Sequence, residues 1–114
     1  MTAPQLSLRI DLPNGTRFGP GKAALLSALV DTGSIRAAAE HMSMSYPRAL
    51  KLIEQMNESF ADMLVETKHG GADGGGAQVT EQGREVLRLY EMICETANAS
   101  CGHAFEQLKQ HIRD

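Results

Sequence analysis

The sequence contains no tryptophan, and aromatic residues make up only 4% of its 114 residues. Its hydrophobic core must therefore be aliphatic, and the 42% apolar content is enough for the core of one domain. No apolar run approaches the roughly 18 residues that a membrane-spanning helix needs. No apolar run follows a basic start in the way that a signal peptide requires. We therefore expect a cytoplasmic protein without membrane contact.

An excess of positive charge is also missing, because the formal net charge is −3 and the isoelectric point is about 5.8. Proteins that coat nucleic acid indiscriminately need many cations, so the composition disfavours that class but permits a small basic patch.

Cysteine is scarce as well. Cys94 and Cys101 are about 10.5 Å apart along a predicted helix, too far for an intrachain disulfide, and we expect free thiols.

The apolar periodicity predicts a mainly α-helical fold with a small β component. Of three short helices, the first ends at Gly33, the second is capped by Ser34, and the third is capped by Ser45 and runs to about Ser59. The expected order of elements is a strand at 5–12, a return strand at 16–18, the three helices, a strand at 64–68, a return strand at 77–79, and a long helix from Thr80 to about Ile112.

A glycine-rich segment, KHGGADGGGAQVT, occupies residues 68–80. A phosphate-binding P-loop would need Lys followed by Ser or Thr after the glycines, but Ala77, Gln78 and Val79 stand there. A dinucleotide-binding fingerprint would need a longer βαβ unit. A linker is also disfavoured, because the single helix that follows could not form a core of its own. The loop of a β-hairpin fits this segment best.

Two short helices joined by a tight turn, with cations on the outer face of the second, are typical of a helix-turn-helix. Arg48, Lys51 and Gln55 fall on the outer face of the third helix. The hairpin that follows would make this a winged helix-turn-helix. The expected domains are a winged helix-turn-helix at 5–79 and a long dimerisation helix at 80–112, packed on the same domain.

The stretch GSIRAAAEHMSMSYPRALKLIEQMNESFADMLVET, residues 33–67, resembles the winged helix-turn-helix of LysR-type bacterial regulators. Its QMN segment and the glycine wing more closely resemble the N-terminal domain of ModE-type, molybdenum-dependent regulators, over roughly Leu6 to Tyr90. The resemblance implies a dimeric transcription factor that reads a palindromic site on double-stranded DNA. Full-length ModE-type regulators carry β-rich molybdate-binding domains. Residues 80–114 have no strand pattern, so we expect no direct molybdate binding.

The resemblance and the helix positions together indicate where DNA contacts would lie. The helix at 45–59 would enter the major groove and the wing at 65–79 would meet the backbone. An ordinary solvated face remains the alternative for Arg48 and Lys51, and helix capping alone for Ser34. Tyr46 could point to the core or to a phosphate. The predicted DNA-binding residues are Ser34, Arg36, Ser45, Tyr46, Arg48, Lys51, Lys68 and His69.

The last predicted helix carries an apolar stripe with alternating three- and four-residue spacing. A stripe over about 25 residues exceeds what a small winged domain covers, which favours a homodimer. Redox sensing by the two cysteines and a metal site near His103 are both disfavoured. The predicted dimerisation residues are Leu87, Tyr90, Cys94, Ala97, Cys101, Ala104 and Leu108.

A sequence-specific DNA-binding regulator is the leading functional prediction. The alternative is an interaction module that keeps the fold and modulates a related regulator by heterodimerisation. An enzyme is disfavoured, because the thiols lie on an apolar stripe with no His and Asp placed to activate them. We expect neither a cofactor nor a metal.

Overall fold

The computed structural model describes residues 4–68 and 76–113. It confirms a mainly helical fold with two small two-stranded sheets. The chain runs through β1 (Ile10–Asp11), β2 (Arg17–Phe18), α1 (Pro20–Thr32), α2 (Ile35–His41), α3 (Tyr46–Ser59), β3 (Val65–Thr67), β4 (Ala77–Val79), α4 (Glu81–Ser100) and α5 (Gly102–Lys109).

The helix ends follow local capping chemistry, as predicted. Gly33 takes a left-handed conformation, with φ of 66°, and donates its N–H to the Leu29 carbonyl at the end of α1. Such a conformation suits glycine because it has no Cβ. The hydroxyl oxygens of Ser34, Ser45 and Thr80 each accept a backbone N–H in the first turn of α2, α3 and α4. These caps fix where each helix begins.

The core is aliphatic, with one small aromatic cluster at its edge. Phe18 packs edge-on against Phe60 and Tyr90, with ring centroids 5.9 Å and 5.3 Å away. This geometry is favourable because the positive ring edge meets the negative ring face. The largest fully buried side chains are Leu25, Leu26, Leu29, Ile35, Ile53, Met56, Leu64 and Val65.

Both sheets are antiparallel hairpins. Ile10 pairs with Phe18 in the first, and Val65 pairs with Val79 in the second. The segment predicted as a strand at 5–12 does alternate between half-buried and exposed residues. Only Ile10–Asp11 forms a ladder, however, because β2 is itself only two residues long.

The C-terminal part differs from the single long helix predicted from Thr80 to about Ile112. The helix breaks at Cys101, where φ is −97° and ψ is 3°, and the Cys101 N–H bonds the Asn98 carbonyl in a tightened last turn. Gly102 follows at once, and glycine is a poor helix former. The result is two helices, α4 and α5, in place of one.

The molecule is elongated, with principal extents of 55 × 31 × 22 Å. Its radius of gyration is 16.6 Å, against about 13 Å for a compact domain of roughly 100 residues. α5 contains no buried residue. In the described ranges, no helix has the length and apolar character to cross a membrane.

Candidate nucleic-acid interface

The turn between α2 and α3 is short and fixed by hydrogen bonds. The Met42 N–H bonds the Ala38 and Ala39 carbonyls, and the Met44 N–H bonds the Ala39 carbonyl. Ser43 between them has φ of 55°, an uncommon value for a residue other than glycine. The turn thus sets α3 at a defined angle to α2, as a helix-turn-helix requires.

Three cations lie on the outside of this helix pair. Arg48 and Lys51 are exposed on α3, and Arg36 is exposed on α2. The Arg36 guanidinium carbon lies 5.6 Å from the centroid of the Tyr46 ring, which is a cation–π contact across the two helices. Tyr46 is half-buried and packs against the core. Ser45 is exposed and accepts the Arg48 N–H at 3.2 Å.

The base of the wing is attached to the start of α2. Gly76 forms a β-bridge with Ser34, and the Ala77 N–H bonds the Gly33 carbonyl at 3.1 Å. On the other strand, the Lys68 N–H bonds the Gly76 carbonyl at 2.8 Å, and the residue is exposed. The predicted contact His69 and the glycines at 70–75 lie outside the described residues.

Asn57 is a structural residue that sequence reasoning missed. Its side-chain oxygen accepts the N–H groups of Leu64 and Val65 at 2.9 Å and 3.1 Å, and its amide nitrogen donates to the Val65 carbonyl at 3.0 Å. These bonds join the end of α3 to the first wing strand. Asn near the end of a predicted helix was the available signal, but it does not indicate a partner several residues away.

The predicted dimerisation stripe lies partly against the chain's own domain. Tyr90 is 8% exposed, and its hydroxyl donates to the Leu8 carbonyl at 2.6 Å. Leu87 and Cys94 also pack against the core. Farther along the stripe, exposure increases: Ala97 and Cys101 are half-buried, whereas Ala104 and Leu108 are exposed.

A second apolar face lies on the opposite side of α4. Leu89, Met92 and Ile93 are 42%, 48% and 46% exposed. At about 100° per residue they fall roughly half a turn from Leu87 and Cys94. α5 continues the apolar exposure with Leu108, and Ile112 follows just beyond it. We call Leu89, Met92 and Ile93 the outer face of α4.

Burial affects the ionisation of Tyr90. Desolvation, followed by the neighbouring Cys94 thiol, raises the pKa of the Tyr90 phenol to about 12. Both cysteines are free thiols, as expected. Within residues 4–68 and 76–113, no cluster of three His, Cys, Asp or Glu side chains could hold a metal ion.

This arrangement of caps, helices and wing base is that of a winged helix-turn-helix DNA-binding domain. The profile of the family described as "Bacterial regulatory helix-turn-helix protein, lysR family" matches residues 22–84, more than half of the chain. The chain therefore belongs to this family. It carries the DNA-binding domain of a transcriptional regulator, and its relatives are regulators rather than enzymes.

The homologues are molybdenum-related regulators, which confirms the ModE-type resemblance. The chain is 38% identical to the molybdenum-pterin-binding protein MopB of Rhodobacter capsulatus over 82% of its own length and 34% of that protein. It is 36% identical to the transcriptional regulator ModE of Yersinia pestis, over 92% of its length and 38% of that protein. The chain thus spans about a third of the length of these relatives.

Two solved structures share the fold. The DNA complex of the CbnR DNA-binding domain aligns with a TM-score of 0.59 at 20% identity, covering 76% of this chain and 94% of that one. ArgP from Mycobacterium tuberculosis aligns with a TM-score of 0.52 at 22% identity, covering 79% of this chain and 30% of that one.

Proposed function

We propose that this chain is a homodimeric, sequence-specific DNA-binding regulator that reads a palindromic site. The observation that carries the proposal is the set of exposed cations on a helix-turn-helix whose turn and caps are fixed by hydrogen bonds. Arg36, Arg48 and Lys51 all lie on the outside of the helix pair. The recognition helix would be α3, and a twofold-symmetric dimer would require two related half-sites.

Arg48 has the position of a base-reading residue. It is exposed in the first turn of α3, the part of a recognition helix that meets base edges in the major groove. Its guanidinium can bond guanine O6 and N7 together. Lys51, one turn later, can reach a base or a phosphate. Arg36 and Tyr46, stacked at the start of both helices, would contact a phosphate.

The wing and the start of α2 would act together on the DNA backbone. Ser34 caps α2 and also forms a β-bridge with Gly76 at the wing base. The start of α2 and the wing base therefore keep a fixed position relative to each other. Exposed Lys68 begins the loop and can meet a phosphate. We extend this role to His69 from the sequence alone.

The outer face of α4 favours a second copy of the chain as its partner. Beside it run Arg84 and Arg88 in the first half of the helix, and Glu91 and Glu95 in the second half. An antiparallel pair of identical helices would place Arg84 of one copy near the glutamates of the other, while Arg88 pairs with Glu85 of its own helix at 2.6 Å. Opposite charges across a symmetric interface fix its register. Leu108 and Ala104, exposed on α5, would extend the same contact.

The test is a titration of genomic fragments with the protein at several salt concentrations. The proposal predicts a few sites bound far more tightly than random duplex, and a steep fall in affinity with salt. Replacing Arg48 with Ala should cost about 1–3 kcal/mol and relax the preference at one base pair. Arg113→Ala removes an exposed cation from the far end of the chain and serves as the matched control.

Two results would contradict the proposal. A confirmed dimer that binds no fragment more tightly than random duplex would favour the interaction module instead. If Arg48→Ala weakens binding equally on all DNA sequences, Arg48 contacts a phosphate and does not read a base.

A further inference from the structure

A basic groove lies beside the recognition helix and extends from it to the N-terminal hairpin. Its walls come from three separated segments: the β1–β2 hairpin, the start of α1 and the first half of α3. We call Arg9, Arg17, Lys22 and Arg48 the cations of the basic groove. The groove is lined by Arg9, Arg17, Gly19, Pro20, Gly21, Lys22, Met44, Arg48 and Leu52.

The positive charge of the groove is largely uncompensated. Arg9 pairs with Asp11 at 3.0 Å, and both side chains are more than half exposed. Among the described residues, Arg17, Lys22 and Arg48 have no Asp or Glu within ion-pair distance. Glu58, near the end of α3, lines an adjoining groove with Arg17 and Lys22.

Local geometry holds these cations together. The Lys22 ammonium donates to the Arg17 carbonyl at 2.8 Å, which keeps the two residues adjacent. Burial, and then the nearby Arg17 charge, lower the pKa of Lys22, as expected for a cation among cations. The Arg9 stem packs beside Gly19, because a Cβ there would be in van der Waals contact with it, 3.4 Å from Arg9 Cγ.

We propose that this groove binds a backbone phosphate of the DNA, next to the base pairs that α3 contacts. Arg48 lies on the groove wall, so a duplex that brings base edges to Arg48 also brings its backbone towards Arg17 and Lys22. The major groove is only about 12 Å wide, so residues beside a recognition helix meet its phosphate rims. Arg9, Arg17 and Lys22 therefore extend the interface to the side of α3 formed by the N-terminal hairpin.

This proposal rests on the proposed function and predicts a contact that positions the DNA without reading its sequence. Phosphate contacts carry no direct base information but fix register and orientation. Each phosphate neutralised contributes about 0.9 to the slope of log affinity against log salt concentration. Loss of the groove should therefore lower that slope and leave base preference unchanged.

The experiment compares the full chain with Arg17→Gln/Lys22→Gln, on the tightest site and on random duplex, across a salt series. The glutamines keep the first two methylene groups of each stem while removing two charges. Lys109→Gln/Arg113→Gln removes two charges from the other end of the molecule and controls for bulk charge. We expect the groove variant to lose about 1–2 units of salt slope on both duplexes, with the control near the wild-type value.

The outcomes separate the two proposals. Failure of the wild-type chain to bind any duplex overturns the proposed function and this inference together. Wild-type binding with an unchanged slope in the groove variant overturns only the groove. If the groove variant and the control lose the same amount of salt slope, the effect comes from bulk charge, and the groove proposal is overturned. Phosphate ethylation interference with the wild-type chain should add a sensitive phosphate outside the α3 contacts, and its absence counts against the groove.

Discussion

Among the described glycines, Gly83 at the start of α4 is the one where an added Cβ would meet the shortest contacts. A Cβ built there would overlap the Leu64 carbonyl oxygen and lie 2.7 Å from Val79 Cγ1. Thr80 stabilises the same contact through two hydrogen bonds. Its N–H donates to the Leu64 carbonyl at 2.9 Å, and its hydroxyl accepts the Gly83 N–H at 3.0 Å. α4 thus begins directly against the base of the wing, and only glycine allows that approach.

The cost of Gly83→Ala can be worked out from these contacts. Inserting a methyl group into a close-packed site costs about 1–3 kcal/mol. Moving α4 away from Leu64 also weakens the Thr80 hydrogen bonds, each worth about 1 kcal/mol. The better helix propensity of alanine offsets about 0.5–1 kcal/mol. We therefore expect the free energy of unfolding to fall by about 2–3 kcal/mol, the sum of these terms.

Thermal unfolding followed by circular dichroism measures this loss directly. At roughly 4 °C per kcal/mol, the midpoint should fall by about 10 °C. Gly102→Ala is the matched control, because nothing lies within 4 Å of a Cβ at that position. Its midpoint should stay near that of the wild type. A Gly83→Ala variant as stable as the control would refute the close approach of α4 to the wing base.

Three further changes and one ligand test the remaining features. Asn57→Ala should lower the free energy of unfolding in urea by about 2–3 kcal/mol, because three wing hydrogen bonds are lost. The raised pKa of Tyr90, about 12, favours the neutral phenol in the folded chain. Its stabilisation is therefore complete below pH 10 and lost as the pH rises through about 12, and Tyr90→Phe should flatten the stability profile across that window. Met92→Glu should shift sedimentation from dimer to monomer with little change in melting temperature, whereas an unchanged dimer would exclude the outer face of α4. Molybdate should give no saturable heat in calorimetry, and a saturable isotherm would contradict that expectation.

The parts of the fold that the sequence predicted well have local causes. Ser34, Ser45 and Thr80 each have a hydroxyl that caps a helix within the next three residues, and Gly33 ends a helix by its own conformation. The wing strand Ala77–Val79 lies where it was predicted. These signals need no knowledge of the tertiary structure, so they can be read from neighbouring residues.

The features that sequence reasoning missed depend on contacts between distant segments. A stripe through Leu87, Tyr90 and Cys94 indicates burial but not the partner, and here the core and the segment before β1 of the same chain cover it. The predicted apolar stripe does not include the outer face of α4, whose residues lie on another side of the helix. The apolar periodicity of the sequence also continues across Cys101 and therefore predicts one helix, although the backbone geometry at Cys101 breaks it.

The net charge of −3 does not prevent a local basic surface, although residues 4–68 contain seven Lys or Arg and seven Asp or Glu. α4 carries the exposed acids Glu81, Glu85, Glu91 and Glu95 together with the exposed Arg84 and Arg88. On the proposed function, DNA is attracted to the cations clustered on the helix-turn-helix and in the basic groove. This local positive charge would steer the duplex towards α3, with no need for a basic protein overall. The Lys and Arg residues of segment 4–68, assigned to these two surfaces and, for Lys68, to the wing, are Arg9, Arg17, Lys22, Arg36, Arg48, Lys51 and Lys68.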